Sequence, residues 1–316
     1  MKIAVLGGGI AGLTASYYLA KSGHSVVIYE KESYLGGLAA GFREKNWEWP
    51  LEYVYHHIFK TDKHILRFAE ETGFDKFYFT KPETNSLYFH DNNYRIIPVD
   101  SPKNFLLFPY LSIFSKIRAG FWLYILMFFP FFKAYERITA EEFTTKYMGK
   151  DMWNVFFKEL FRKKFGKYAG KILATFLWAR FRRSQELGYV RGGFQTFIDH
   201  QEKIAKEQDV VIKTGEKVSE IHKKGTSFVV SGEVYDAVIS TLPTPQTVRI
   251  CKRIFPEGYT ERLNKMKFLN ALVMILETDK PILERTYWLN ICTDTIPIMF
   301  IGQHTNFVDK KYYGGN

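Results

Sequence analysis

At 316 residues the chain has room for two domains of ordinary size, and 46% hydrophobic with 24% charged residues excludes both a disordered chain and an ordinary multi-span membrane protein. A formal net charge of +11 favours anionic partners such as phosphates, nucleotides or acidic lipid surfaces, while the absence of an aromatic RNA-binding signature argues against nucleic acid. Two cysteines, Cys251 and Cys292, exclude a disulfide framework and a C-x-x-C site, so a reducing cytoplasm is expected.

The first thirty residues are patterned as strand, turn, helix, strand. Lys2 to Leu6 is a short apolar run, Gly7 to Gly9 a turn, Ala11 to Lys21 a small-residue helix ending before Gly23, and Ser25 to Tyr29 a β-branched strand. Because this opening segment is a strand and a glycine turn, no signal peptide is expected. Within it, Gly7-x-Gly9-x-x-Gly12 stands where a dinucleotide fingerprint stands, and Glu30 closes the second strand at the matching distance. Gly7 permits the tight turn, Gly9 lets backbone approach a pyrophosphate, Gly12 allows close packing of helix on strand, and Glu30 can accept from ribose hydroxyls. The expected cofactor contacts here are Gly7, Gly9, Ile10, Ala11, Gly12, Glu30 and Lys31.

A glycine pair follows at Gly36 and Gly37, and then an aromatic stretch from Phe42 to Phe59 with no clear period. The uncharged run Ala119 to Phe132 is shorter than the roughly 20 residues a spanning helix needs and contains Pro130. It is expected as a buried helix or one lying in a membrane interface. Thr139 to Arg183 is helical in pattern, with Thr139 as cap before Ala140-Glu141-Glu142. Nine Lys or Arg residues between Lys158 and Arg183 face a single acid, Glu159, which suits a solvated helix face or an anion-facing or membrane-facing one. Gly192-Gly193 leads into another helix. Short strands are then expected at 210–212, 217–222, 227–231, 237–241 and 296–301.

Strand returns so late in the chain predict a discontinuous first domain. The fold class expected is α/β: a Rossmann-like dinucleotide-binding domain, discontinuous, from residues 1–84 and 186–255, with an inserted α+β substrate domain from 85–185 and 256–316.

The run from Glu30-Lys31 to Leu35-Gly36-Gly37-Leu38-Ala39 resembles the FAD enzymes that include amine oxidases, protoporphyrinogen oxidase and phytoene desaturase. Tyr55-His56-His57-Ile58-Phe59, Lys164-Phe165-Gly166, Leu177-Trp178-Ala179-Arg180, Leu187-Gly188-Tyr189-x-Arg191-Gly192-Gly193-Phe194 and His304-Thr305-Asn306 are similar to segments of the bacterial protoporphyrinogen-oxidase-like branch. The resemblance implies FAD, with Gly36, Gly37 and Leu38 near its flavin side, Val218 meeting the adenine through its main chain, and Thr241 closing the pocket. Leu38 stands where many members carry an Arg. Of the adjacent pair, one histidine, His57, is expected to face the flavin; neighbouring strand residues point to opposite faces, so His56 and His57 do not chelate one metal. Trp178, Arg180 and Tyr189 are candidates for lining the substrate cavity. No catalytic acid or base is assigned.

The reaction implied is hydride removal from a carbon bonded to nitrogen or to another carbon, with a small-molecule substrate and an unidentified electron acceptor as partners. Two alternatives stay open: a sugar isomerase similar to UDP-galactopyranose mutase, which has a His-x-Phe segment in this region, and an inactive FAD-binding fragment. The family continues beyond Gly314-Gly315-Asn316 to a segment that covers the flavin ring, so the resemblance implies a missing part of the FAD domain, an open cleft and weak FAD retention. Placement is expected to be cytoplasmic, with a peripheral contact at the inner face of the membrane left open.

Overall fold

A computed structural model describes residues 1–183 and 186–315; the domain boundary expected at residue 185 and the terminal Asn316 lie outside the described residues. The opening unit is a strand Lys2–Leu6, a helix Ile10–Lys21 and a strand Ser25–Tyr29. The helix stops where Gly23 takes a φ of +83°, a left-handed turn that turns the chain back toward the sheet. The central sheet is parallel throughout, in the order Val211–Lys213, Ser25–Tyr29, Lys2–Leu6, Ala237–Ser240. That order is Rossmann-like, and the fold is α/β.

Period-two alternation decides what covers each face of this sheet. Val5, Val26 and Ile28 pack with Leu13, Ile198 and Ala205 from the helices Ile10–Lys21 and Phe194–Lys206. Ala4, Leu6, Val27 and Tyr29 point the other way, onto an antiparallel meander of Ile221–Lys224, Ser227–Val230 and Glu233–Tyr235. The strand expected at 217–222 begins only at Ile221, because the N–H groups of Gly215 and Glu216 donate to the carbonyls of Glu32 and Glu30 and hold that segment across the sheet edge.

A second, mixed sheet has the order Phe300–Gly302, Thr286–Ile291, Glu83–His90, Asn93–Pro98, with only the central pair parallel. The strand expected at 296–301 is confined to Phe300–Gly302; Pro297 has no N–H to offer a ladder. Helices between Pro102 and Arg182 build one apolar core over this sheet, centred on Phe108, Leu126, Met148, Met152 and Leu177. The capping box is present: Glu142 N–H donates to the Thr139 hydroxyl and Thr139 N–H to the Glu142 carboxylate. The helical run that follows is broken into short pieces by π-turns at Thr144–Met148 and Trp153–Phe157. The helix Ile113–Phe128 is packed on one side only, through Ala119 and Leu126, and no helix among the described residues is long and apolar enough to cross a membrane.

Residues 304–313 fold back onto the aromatic stretch. Glu48 and Trp49 both donate to the carbonyl of Tyr312, and the rings of Trp49 and Tyr312 stack at 3.7 Å.

Candidate functional site

The turn between the first strand and first helix is built from bare backbone. Gly7 has a φ of +103°, and a β-carbon on it would stand 2.7 Å from the Thr241 hydroxyl, which itself donates to the carbonyl of Leu6. Gly12 fits flat on the turn: a β-carbon there would be 1.9 Å from the Gly7 carbonyl oxygen. Thr241 therefore closes the floor beneath the turn, behind Gly7 and Gly12.

Above the turn only backbone stands at contact distance. The nearest atoms to a β-carbon on Gly9 would be the Gly36 oxygen at 3.8 Å and the Gly37 Cα at 3.9 Å. Gly36 donates its N–H to the Gly8 carbonyl, so the second glycine pair is laid directly against the first turn, and Gly36 and Gly37 hold φ of +113° and +58°. The helix Ile10–Lys21 has neither a side-chain cap nor an acidic residue in its first turn. Its leading N–H groups, at half-buried Ile10 and exposed Ala11, thus face an all-backbone recess carrying the positive end of a helix dipole. These are the features a pyrophosphate requires, and the residues present fit one.

Glu30 is 8% exposed, with one carboxylate oxygen accepting from Gly8 N–H at 2.7 Å and the other from Glu32 N–H at 3.0 Å. It fixes the turn while each oxygen keeps a lone pair for a ligand hydroxyl. Lys31 is exposed and paired with Glu32, Leu38 projects into solvent, and Val218 is half-buried against the meander.

The two histidines diverge. His56 bonds through Nδ1 to the carbonyl of Val54 and lies beside Phe194, whereas His57 packs edge-on against Phe59 and Trp288. His57 Nδ1 is buried without a hydrogen-bond partner among the described residues. Burial, with Arg180 second, pushes the His57 imidazole down to about 4, so it is neutral at pH 7. Around it Trp288 and Phe300 stack face to face at 3.9 Å, and Tyr55 stands edge-on to both. Arg180 is exposed, yet surrounding protein desolvates it enough to lower its pKa, with Arg183 adding repulsion, and its charge acts on both His57 and Tyr55. No hydrogen bond or ring contact among the described residues joins His57 to the glycine turn.

Two other cavity candidates are core. Trp178 is half-buried against Phe132, and Tyr189 is fully buried. Tyr189 instead leads to a group that sequence reasoning missed. Its phenol donates to Glu52, which is 2% exposed and also accepts from Phe194 N–H at the start of the helix Phe194–Lys206. Burial pushes the Glu52 carboxyl up to about 7, against those two hydrogen bonds. Tyr189 also packs on the His304 ring, which is held by the Tyr313 hydroxyl and pushed down to about 4 by burial. No local signal set it apart, since Glu44 and Glu48 stand in the same stretch.

The family model for flavin containing amine oxidoreductases matches residues 10–309. Over 305 residues the chain is 22% identical to 4,4'-diaponeurosporene oxygenase of Staphylococcus aureus, covering 84% of this chain and 59% of that protein. It is 32% identical over 75 residues to 15-cis-phytoene desaturase of Synechococcus elongatus, which is 24% of this chain and 16% of the relative. Among solved structures, an oxidoreductase from Methanosarcina mazei superposes with a TM-score of 0.69 at 17% identity, over 99% of this chain and 76% of that one. Reduced UDP-galactopyranose mutase gives 0.63 at 18% identity, over 97% and 70%. At these identities the structural likeness speaks for the fold, and the chain spans less than two thirds of the length of the curated relatives it matches.

Proposed function

Because the chain belongs to the flavin-containing amine oxidoreductase family, we propose that it is an FAD-dependent oxidoreductase of the desaturase, dehydrogenase or oxidase type, removing a hydride from a carbon bonded to carbon or nitrogen. The observation that carries this reading is the uncapped start of the helix Ile10–Lys21 beside the bare backbone of Gly9, Gly36 and Gly37, with Glu30 buried next to it.

In this reading the N–H groups of Ile10 and Ala11 hold the pyrophosphate, the free lone pairs of Glu30 take ribose hydroxyls, and the main chain near Val218 meets the adenine. Bound FAD supplies the two-electron acceptor. The cluster of Tyr55, Trp288 and Phe300 offers apolar ring surface to an unsaturated or aromatic substrate body. Neutral His57 offers an unpaired Nδ1 to a ligand, and Arg180 offers a charge to an anionic substituent. Segments such as Leu177-Trp178-Ala179-Arg180 are the reason for assigning the chain to the protoporphyrinogen-oxidase-like branch.

The test is spectroscopic. The purified chain, supplied with FAD, is expected to show a flavin absorption spectrum that bleaches with a reduced substrate and recovers with an acceptor. A protein that turns over only after chemical prereduction, without net electron flow, would be an isomerase. One that binds no flavin would remove the cofactor assignment altogether.

A further inference from the structure

The helix Ile113–Phe128 buries only Ala119 and Leu126 against the core behind it. Its outer face is a continuous apolar stripe of Phe114, Ile117, Phe121, Tyr124 and Phe128, with Phe114 81% exposed. Their spacing alternates between three and four, so they lie on one side of the helix over a length of about 21 Å. Leu106 and Leu107 continue the stripe at one end, Leu107 at 70% exposed, and Phe129, Phe131 and Phe132 at the other. Single exposed apolar side chains need no explanation, but a contiguous face of this extent marks an interaction surface.

Charge selects the partner. Between Asp100 and Glu136 there is no acidic residue, while Lys103, Lys116, Arg118 and Lys133 are all present. Lys116 Nζ donates to the carbonyl of Leu106, and Arg118 donates to the carbonyls of Lys146 and Tyr147. Neutral carbonyls anchor these two side chains without cancelling their charge, and among the described residues none of the four cations is in an ion pair. A second copy of the chain on this face would set cations against cations. An apolar stripe flanked by unneutralised Lys and Arg complements an anionic lipid bilayer, whose acyl chains take the aromatic face and whose headgroups take the charge.

We propose that this helix, with its two flanking apolar segments, docks the protein onto an anionic membrane, lying in the interface plane without crossing it. The helix is 16 residues long and followed by Pro130, so it suits an in-plane position. The surface stands apart from the glycine turn, so the proposal does not rest on the reading of the cofactor site.

Vesicle flotation tests it. The protein is expected to float with vesicles of equal parts phosphatidylglycerol and phosphatidylcholine, and far less with phosphatidylcholine alone. Phe114→Ser combined with Phe121→Ser, both exposed and so compatible with an unchanged melting temperature, lowers binding by roughly a hundredfold or more. Lys103→Glu combined with Lys133→Glu lowers binding to the anionic vesicles by on the order of tenfold or more and leaves the neutral ones unchanged. In Phe121→Trp, the fluorescence quenched by brominated acyl chains in the bound state exceeds that of the native protein, whose Trp122 lies on the same helix. The proposal is overturned if the protein stays in solution with anionic vesicles. It is equally overturned if sedimentation shows a lipid-independent dimer that the paired serine substitutions dissolve, since a second copy then covers the face.

Discussion

The Tyr189 phenol donates to both carboxylate oxygens of Glu52, at 2.8 and 3.0 Å, across 137 positions of the chain. Phe194 N–H adds a third bond of 2.8 Å, and the carboxyl nevertheless sits near 7 because burial outweighs them. A proton on this group is therefore bound more tightly in the folded than in the unfolded chain. Its contribution to stability is complete below the ordinary carboxyl range near 4.5, falls as pH rises from there to about 7, and is constant above.

Glu52→Gln removes this titration while keeping the shape. Relative to the wild type, the variant should gain stability on going from about pH 5 to about pH 8, by on the order of 3 kcal/mol. Urea unfolding midpoints of both proteins at the two pH values measure it. Midpoints that move in parallel would mean that Glu52 is ionised at its ordinary pKa.

His57 is a depressed base, held near 4 by burial first and by the Arg180 charge second. Removing the charge alone, in Arg180→Gln, should raise the imidazole pKa without bringing it back to 6.5, since burial remains. Histidine titration by NMR reads the shift directly. The linked stability has the opposite sign to that of Glu52: neutral His57 contributes fully above about 6.5, and the contribution is lost as pH falls through about 4. An unmoved titration in the variant would show that the Arg180 charge does not act on His57.

The glycines of the turn should fail in different ways. An alanine at Gly12 drives its β-carbon into the Gly7 carbonyl, where backbone cannot step aside, so Gly12→Ala should destabilise the fold by at least the roughly 1–3 kcal/mol typical of overpacking. At Gly9 a β-carbon meets nothing closer than 3.8 Å. Gly9→Val should therefore melt near the wild-type temperature and lose flavin, because its side chain takes the space proposed for the pyrophosphate. Paired measurements of melting temperature and bound flavin distinguish the two. Full flavin retention in a folded Gly9→Val protein would count against the cofactor site.

Local pattern was enough for the opening βαβ unit, because Lys2–Leu6, Ile10–Lys21 and Ser25–Tyr29 are each specified by neighbours in sequence: apolar period, small residues and a left-handed Gly23. The capping box at Thr139 was legible for the same reason, as both its hydrogen bonds close within four residues. By contrast, no strand forms ahead of Ile221, where the N–H groups of Gly215 and Glu216 tie the chain to the carbonyls of Glu32 and Glu30, nearly two hundred positions away, and no window of sequence contains that pairing. The apolar run after Ala119 had two readings, buried or interfacial, and only packing decides which of its faces is covered. Glu52 shows the limit most clearly. Nothing within ten residues of it announces a buried carboxyl, since its partners Tyr189 and Phe194 arrive from a distant strand and helix, and burial, which moves its pKa, is a property of everything folded around it.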